Sequence, residues 1–224
     1  MTVTDVPRDE VLDASVDTAA GLAALTAELQ PLCRRVEEER PALLVLRLTG
    51  DGEWPGPVGV HDVNRWERAV RRLERLDVLT VAVAAGACGP AAVEILLAAD
   101  VRVGLTDATL RLDTGAAGAW PGMGMYRLAQ RLGSSAARRL LLATAPATFT
   151  ATDARDHGLL DEITDGLDAR VAELLRTGGR RDVSMRRSLL LSAGQTSYEV
   201  AIGTHLAACD RTLRAGRAAT RDAA

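Results

Sequence analysis

The chain has 224 residues, 47% hydrophobic and 25% charged, with a net charge of −3. That is enough for one globular domain with a sizeable core. The charge balance gives no sign of nucleic-acid or anionic-membrane binding, and 3% aromatic residues argue against a stacking platform for single strands.

Residues 1–10 read as a frayed, acidic tail without the basic-then-apolar pattern of a signal peptide. Val11–Ser15 reads as a short strand. From Thr18 to Glu39, Leu22, Leu25, Leu29, Leu32 and Val36 recur at helical spacing, with Asp17 or Thr18 as cap and a kink at Pro31. Ala42–Leu48 is a buried strand, and residues 49–60 form a loop rich in Gly and Pro. His61–Leu76 is a helix with Val63, Trp66, Val70, Leu73 and Leu76 on one face. The strand Val78–Ala84 follows. The uncharged run Val78–Val93 is shorter than the roughly 20 residues of a membrane helix.

Val81–Asp100, VAVAAGACGPAAVEILLAAD, is the informative stretch. It reads as a buried strand, a turn through Gly86, Cys88, Gly89 and Pro90, and an apolar helix with one carboxylate, Glu94. The first turn of a helix leaves N–H groups unpaired and carries the positive end of the helix dipole, so it suits developing negative charge. Pro90 fits the first helical position, where an N–H is an orphan anyway. Either Glu94 works in a site or it simply points to solvent.

Val101–Gly104 and Thr109–Leu112 are strands, and residues 113–119 form a loop. Pro121 starts a helix ended by Gly133. Another helix runs from Ser134 or Ser135 to about residue 144. Thr150 and Asp153 form a capping pair for a short helix closed by Gly158. Leu159–Ile163 is a strand, Leu167–Arg176 a helix, and residues 183–215 two helices around Gly194. The terminal GRAATRDAA reads as disordered. Strands alternating with helices predict an α/β core over residues 1–165 and a helical C-terminal segment over 166–224.

Four pieces, in this order, resemble the crotonase (enoyl-CoA hydratase/isomerase) superfamily: LRLTGDG at 46–52, VAVAAGACGPAAVEILLAADVRVG at 81–104, PGMGMYRLAQRLG at 121–133 and ATFTATDARDHGLLDEI at 147–163. The resemblance implies a spiral of ββα units. It also implies an acyl-CoA substrate whose thioester oxygen is held by two backbone N–H groups, preorganised donors for an enolate-like oxyanion. By position one donor is Ala91, although the family's usual Gly-Gly-Gly is Pro-Ala-Ala here. The other falls at Pro57, which has no N–H, so the role passes to Val58 or Gly56, or that half of the hole is missing.

Family hydratases use two Glu residues. Glu94 matches the first; the second falls at Thr114, which cannot serve as a base. A single carboxylate beside an enolate hole can still support elimination, isomerisation or an aromatising proton shuffle. The reduced length and trimmed loop are similar to those of the small crotonase-like enzymes of the 3,5-dihydroxyphenylglycine pathway. The resemblance therefore implies a dehydratase-type lyase working toward 3,5-dihydroxyphenylacetyl-CoA. The alternatives are a non-catalytic partner of a type III polyketide synthase, alongside other crotonase-like enzymes, and an ordinary enoyl-CoA hydratase. CoA arrives with the substrate, so no cofactor or metal is implied. A homo-trimer or hexamer is expected through the C-terminal segment.

Cys33, Cys88 and Cys209 lack metal or redox spacing and read as free thiols in a reducing cytoplasm. Cys88 has no base beside it. His61 reads as a capping or surface residue, with substrate contact the alternative, His157 as a helix-end residue, and His205 as a surface or interface residue. Trp54 and Trp120 flank the two site loops, either as walls of an aromatic pocket or as core.

Overall fold

The runs LLVLRL and VAVAA pair side by side as the middle of a mostly parallel sheet. The computed structural model describes residues 10–112, 120–142, 148–177 and 183–222. Five strands lie parallel in the order β1 (Val11–Asp17), β2 (Leu43–Gly50), β3 (Leu79–Cys88), β4 (Val101–Gly104) and β7 (Glu162–Ile163). β5 (Thr109–Arg111) pairs with the far end of β3, and β6 (Thr148–Thr150) pairs antiparallel with β5.

Side chains alternate across this sheet with the two-residue period of a strand. Leu44, Leu46, Leu48, Ala82 and Ala84 face a core shared with α1 (Leu22–Glu39), α2 (Val60–Leu73) and α3 (Pro90–Ala98). Leu43, Val45, Val81, Val83 and Val103 face the other way, onto Leu167, Val171 and Leu174 of α7 (Leu167–Thr177). Burial on both faces explains why these strands read as continuous apolar runs. The α/β class with a helical C-terminal segment is what the structure shows.

The chain divides into two compact units, one reaching Arg180 and one from Arg181 onward. The first also holds α4 (Met123–Leu132), α5 (Ser134–Leu142) and α6 (Ala151–Asp156). Thr150 and Asp153 cap α6 reciprocally: the hydroxyl accepts from Asp153 N at 3.2 Å and the carboxylate from Thr150 N at 3.4 Å. The second unit consists of α8 (Val183–Ala193) and α9 (Tyr198–Asp222).

Three expectations need correction. The terminal GRAATRDAA is not disordered over its described part: α9 runs to Asp222, a 25-residue helix. Neither Asp17 nor Thr18 caps α1. Its N-cap is Gly21, and the buried Thr18 hydroxyl instead donates to Thr49 O at 2.9 Å and Gly50 O at 2.6 Å. That tie fixes the end of β2, from which the site loop departs. The segment from Leu159 is a strand only at Glu162–Ile163, because Leu159 and Leu160 turn their N–H groups to Ala154 O. α1 itself continues through Pro31.

Candidate active site

β2 and β3 end side by side, Gly50 opposite Cys88. Ligands of open α/β sheets bind outside the carboxyl ends of strands, and here two loops leave adjacent ends. Gly89 N donates to Gly50 O at 3.0 Å, which locks the two loops together. Gly89 has no room for a side chain, since a Cβ there would lie 2.5 Å from Asp51 Oδ1 and 3.1 Å from Asp51 Cα. Asp51 is itself held by Arg111 of β5, whose Nε and Nη2 both donate to it, Nη2–Oδ1 being 2.6 Å.

α3 begins at Pro90, as its sequence predicts, and Ala91 follows, fully buried. As the second helical residue Ala91 has an N–H with no partner inside the helix. One turn further in is Glu94, 5% exposed. It does not point to solvent. Its Oε2 accepts from the indole Nε1 of Trp66 at 2.6 Å and its Oε1 from that of Trp54 at 3.3 Å. Burial raises its pKa from 4.5 to about 7, against the opposing pull of the Trp66 hydrogen bond; Glu67 raises it further, and Trp54 and Arg127 lower it.

Each indole is placed by its own element. Trp66 lies on the apolar face of α2 and is fully buried. Trp54 comes from the loop after β2 and is 7% exposed, its ring edge-on to Trp66 with centroids 5.2 Å apart. On the other side α4 approaches through Gly124, where a Cβ would sit 3.0 Å from Glu94 Cγ and 3.2 Å from Oε1. α4 is docked on α2 by Glu67, which accepts from Met123 N at 3.2 Å and from Arg127 Nη1 at 3.0 Å.

The cavity against Glu94 is lined by Trp54, Val93, Leu97, Leu112, Trp120 and Leu128 among others, and among the described residues Glu94 is the only charged one lining it. Its volume is about 50 Å³, enough for a few water molecules. The chain's three tryptophans thus all gather here, two as walls and one beneath. Trp54 and Trp120 stand out in the sequence by flanking the two loops. Trp66 reads there only as a core residue, and nothing in the sequence marks its indole N–H as a partner for Glu94.

Among the other candidates, Pro55 and Pro57 have no N–H, and the N–H of Gly59 goes to Asp62 Oδ2 at 3.2 Å in the α2 cap. Gly56 and Val58 are the remaining backbone donors between 55 and 59, and the Val58 side chain packs against the main core. Thr114 lies outside the described residues. The Cys88 thiol is buried, donates to Leu48 O at 3.3 Å and is pushed up by desolvation to about 11, which removes it as a nucleophile. His157 Nδ1 lies 2.8 Å from Asp153 O at the end of α6, a structural contact. His61 and His205 are exposed. Among the described residues no three His, Cys, Asp or Glu side chains are grouped to hold a metal ion, and no helix is long and apolar enough to cross a membrane.

The sequence pattern of the enoyl-CoA hydratase/isomerase family matches residues 63–176. An Amycolatopsis orientalis protein named enoyl-CoA-hydratase is 39% identical over 197 residues, covering 85% of this chain and 90% of its own. The chain therefore belongs to the enoyl-CoA hydratase/isomerase family of acyl-CoA enzymes. The fold is likewise that of an enoyl-CoA hydratase/isomerase from Marinobacter aquaeolei, with a TM-score of 0.76 at 16% identity, over 93% of this chain and 90% of that one. An enoyl-CoA hydratase from Bacillus anthracis matches with a TM-score of 0.76 at 20% identity, over 92% and 88%.

Proposed function

We propose that this chain is a cytoplasmic acyl-CoA lyase in which Glu94 is the sole proton-transfer group. It would act in the dehydration and aromatisation of a polyketide-derived CoA thioester towards 3,5-dihydroxyphenylacetyl-CoA. The observation that carries this reading is Glu94 itself: a buried carboxylate with a pKa of about 7, one turn inside the helix that presents Ala91 N–H. Near neutral pH such a group takes a proton and returns it with little cost in either direction. The thioester oxygen would be held by Ala91 N–H and by the N–H of Val58 or Gly56. Thr114 would touch substrate without moving protons.

The discriminating variant is Glu94→Gln, assayed by the yield of aromatic CoA product from a type III polyketide synthase reaction. Loss of the yield, with the fold retained, supports the proposal; undiminished yield removes Glu94 from the mechanism. One observation favours a second reading. The cavity at Glu94 is far smaller than the 300 Å³ or more usual for ligand sites. On that reading the chain supports the synthase, or another crotonase-like enzyme, without chemistry of its own, and Glu94→Gln supports the synthase fully. Crotonyl-CoA hydration by the wild type would instead identify an ordinary hydratase.

A homo-trimer or hexamer is proposed as well. Ile202, Leu206, Cys209 and Leu213 fall on one side of α9 at three- and four-residue spacing, and all are exposed. Sedimentation that gives a monomer would refute it.

A further inference from the structure

Glu94 is gripped by two groups that can only donate. An indole Nε1–H has no acceptor capacity, so each of its hydrogen bonds demands a lone pair on the carboxylate. The ionised form offers lone pairs on both oxygens. The protonated form spends one lone pair on the proton and loses its charge, so its hydroxyl oxygen is the poorer acceptor for an N–H. The two bonds are also unequal, 2.6 Å from Trp66 to Oε2 against 3.3 Å from Trp54 to Oε1. Protonation therefore sacrifices the long bond first. Oε1 is also the oxygen nearer Gly124, a residue that lines the cavity.

We propose that Trp66 and Trp54 are positioning residues with separate tasks. Trp66 anchors Oε2 and holds the side chain in one rotamer, while Trp54 lends a displaceable bond to Oε1, the oxygen that carries the proton. The proposal builds on the reading of Glu94 as the proton-transfer group. It divides the carboxylate into a fixed end and a working end: the proton comes onto Oε1 as the Trp54 bond lets go, and leaves as that bond reforms. Only a proton is transferred, and the Oε2 contact is unchanged through the cycle.

Among the described residues, the other charges that act on this carboxylate are Glu67 of α2, which disfavours its ionised form, and Arg127 of α4, which favours it. Arg127 is 5% exposed, and its Nε has no hydrogen-bond partner, Glu74 Oε1 lying 4.0 Å away. Its charge is spread over Glu67, Glu74 and Glu94, so it does not hold either oxygen of Glu94 in place. α5 adds only Leu141 to the cavity lining, and β5 with the residue after it only Leu112. The geometry of the clamp thus rests on the indoles.

The test is a pH titration of the free protein, with no substrate, followed by intrinsic tryptophan fluorescence and by the carboxyl stretch in infrared difference spectra. Wild type should show a transition near neutral pH, and Glu94→Gln should lack it. Trp66→Phe removes a short bond to a charged acceptor and should move the transition up by about one to two pH units. Trp54→Phe should move it up by less, and should leave the wild-type rotamer intact in a crystal structure. The alkaline-going limb of kcat/KM should follow the same order. Trp54 is a loop residue, so if Trp66→Phe does not fold, Trp54→Phe and the wild type–Glu94→Gln pair still decide. No Glu94-dependent transition, or a transition that Trp54→Phe leaves in place or lowers, overturns the proposal. A larger shift for Trp54→Phe than for Trp66→Phe overturns the division of tasks. Because substrate is absent, an inactive protein with the expected titrations would count against the proposed function alone.

Discussion

Glu94→Gln makes a stability prediction that is independent of any substrate. In the folded chain burial raises the Glu94 pKa from 4.5 to about 7. The native state therefore holds this proton more tightly than the unfolded chain and binds more protons across that window, so stability falls as pH rises through it. The favourable contribution is fully present below about pH 4.5 and is lost as pH passes about 7. At about 1.4 kcal/mol per pKa unit, the cost of ionising Glu94 in the folded protein reaches about 3 kcal/mol. About 2 kcal/mol of this accrues between about pH 5.5 and about pH 8.5. Gln does not titrate, so the variant should lack that slope. It should also be the less stable protein in acid, because its amide sets an N–H₂ against one indole N–H, a mismatch of about 1–3 kcal/mol. Urea denaturation at the two pH values measures both quantities, with the slope m checked for constancy. Other groups that titrate on unfolding cancel in the difference between the two proteins. Wild type and variant that lose stability in parallel from pH 5.5 to 8.5 would refute the reasoning.

Gly89→Ala should destabilise the protein by about 1–3 kcal/mol, because the new methyl group collides with Asp51 although the Gly89 backbone (φ −84°) suits alanine; chemical denaturation checks this. Thr150→Ala should cost about 1 kcal/mol through the lost α6 cap, measured the same way. In a native thiol titration with an aromatic disulfide reagent, no thiol other than Cys209 should react. Cys33 and Cys88 should react only on unfolding, since both are buried and desolvation raises them to about 12 and about 11. Fast modification of more than one thiol in the native protein would contradict the packing around β2 and β3.

The sheet was legible because its strands are buried on both faces, which leaves uninterrupted apolar runs such as ALLVLRL, and because Gly89-Pro90 marks a helix start. Two kinds of feature were not legible. One is a polar side chain claimed by a distant partner: Thr18 looks like a local cap, yet its hydroxyl goes to carbonyls 31 and 32 residues away. The other is an apolar-patterned residue with a polar duty. Trp66 satisfies the helical period of α2 as a leucine would, and only the fold brings its indole to a carboxylate 28 residues further on. The end of α9 went unread for a third reason. Its Ala- and Arg-rich composition without an apolar stripe resembles a tail, but alanine and arginine are also strong helix formers.

The pocket's charge count bears directly on the kind of reaction proposed. Hydration of a double bond and its reverse, dehydration, share one transition state, in which a water oxygen and a carbon exchange a proton; two carboxylates divide that work, or one performs both transfers in turn. Here the described lining supplies one. A one-carboxylate site is suited to reactions in which the same group removes a proton and later returns one, so that its net charge is restored without a partner. The proposed dehydration and aromatisation has that form: Glu94 takes a proton from carbon and passes it to the departing hydroxyl, which leaves as water, and the aromatic ring formed makes the step favourable. The indole clamp serves such a cycle, since it keeps the carboxylate in place through repeated proton loss and gain.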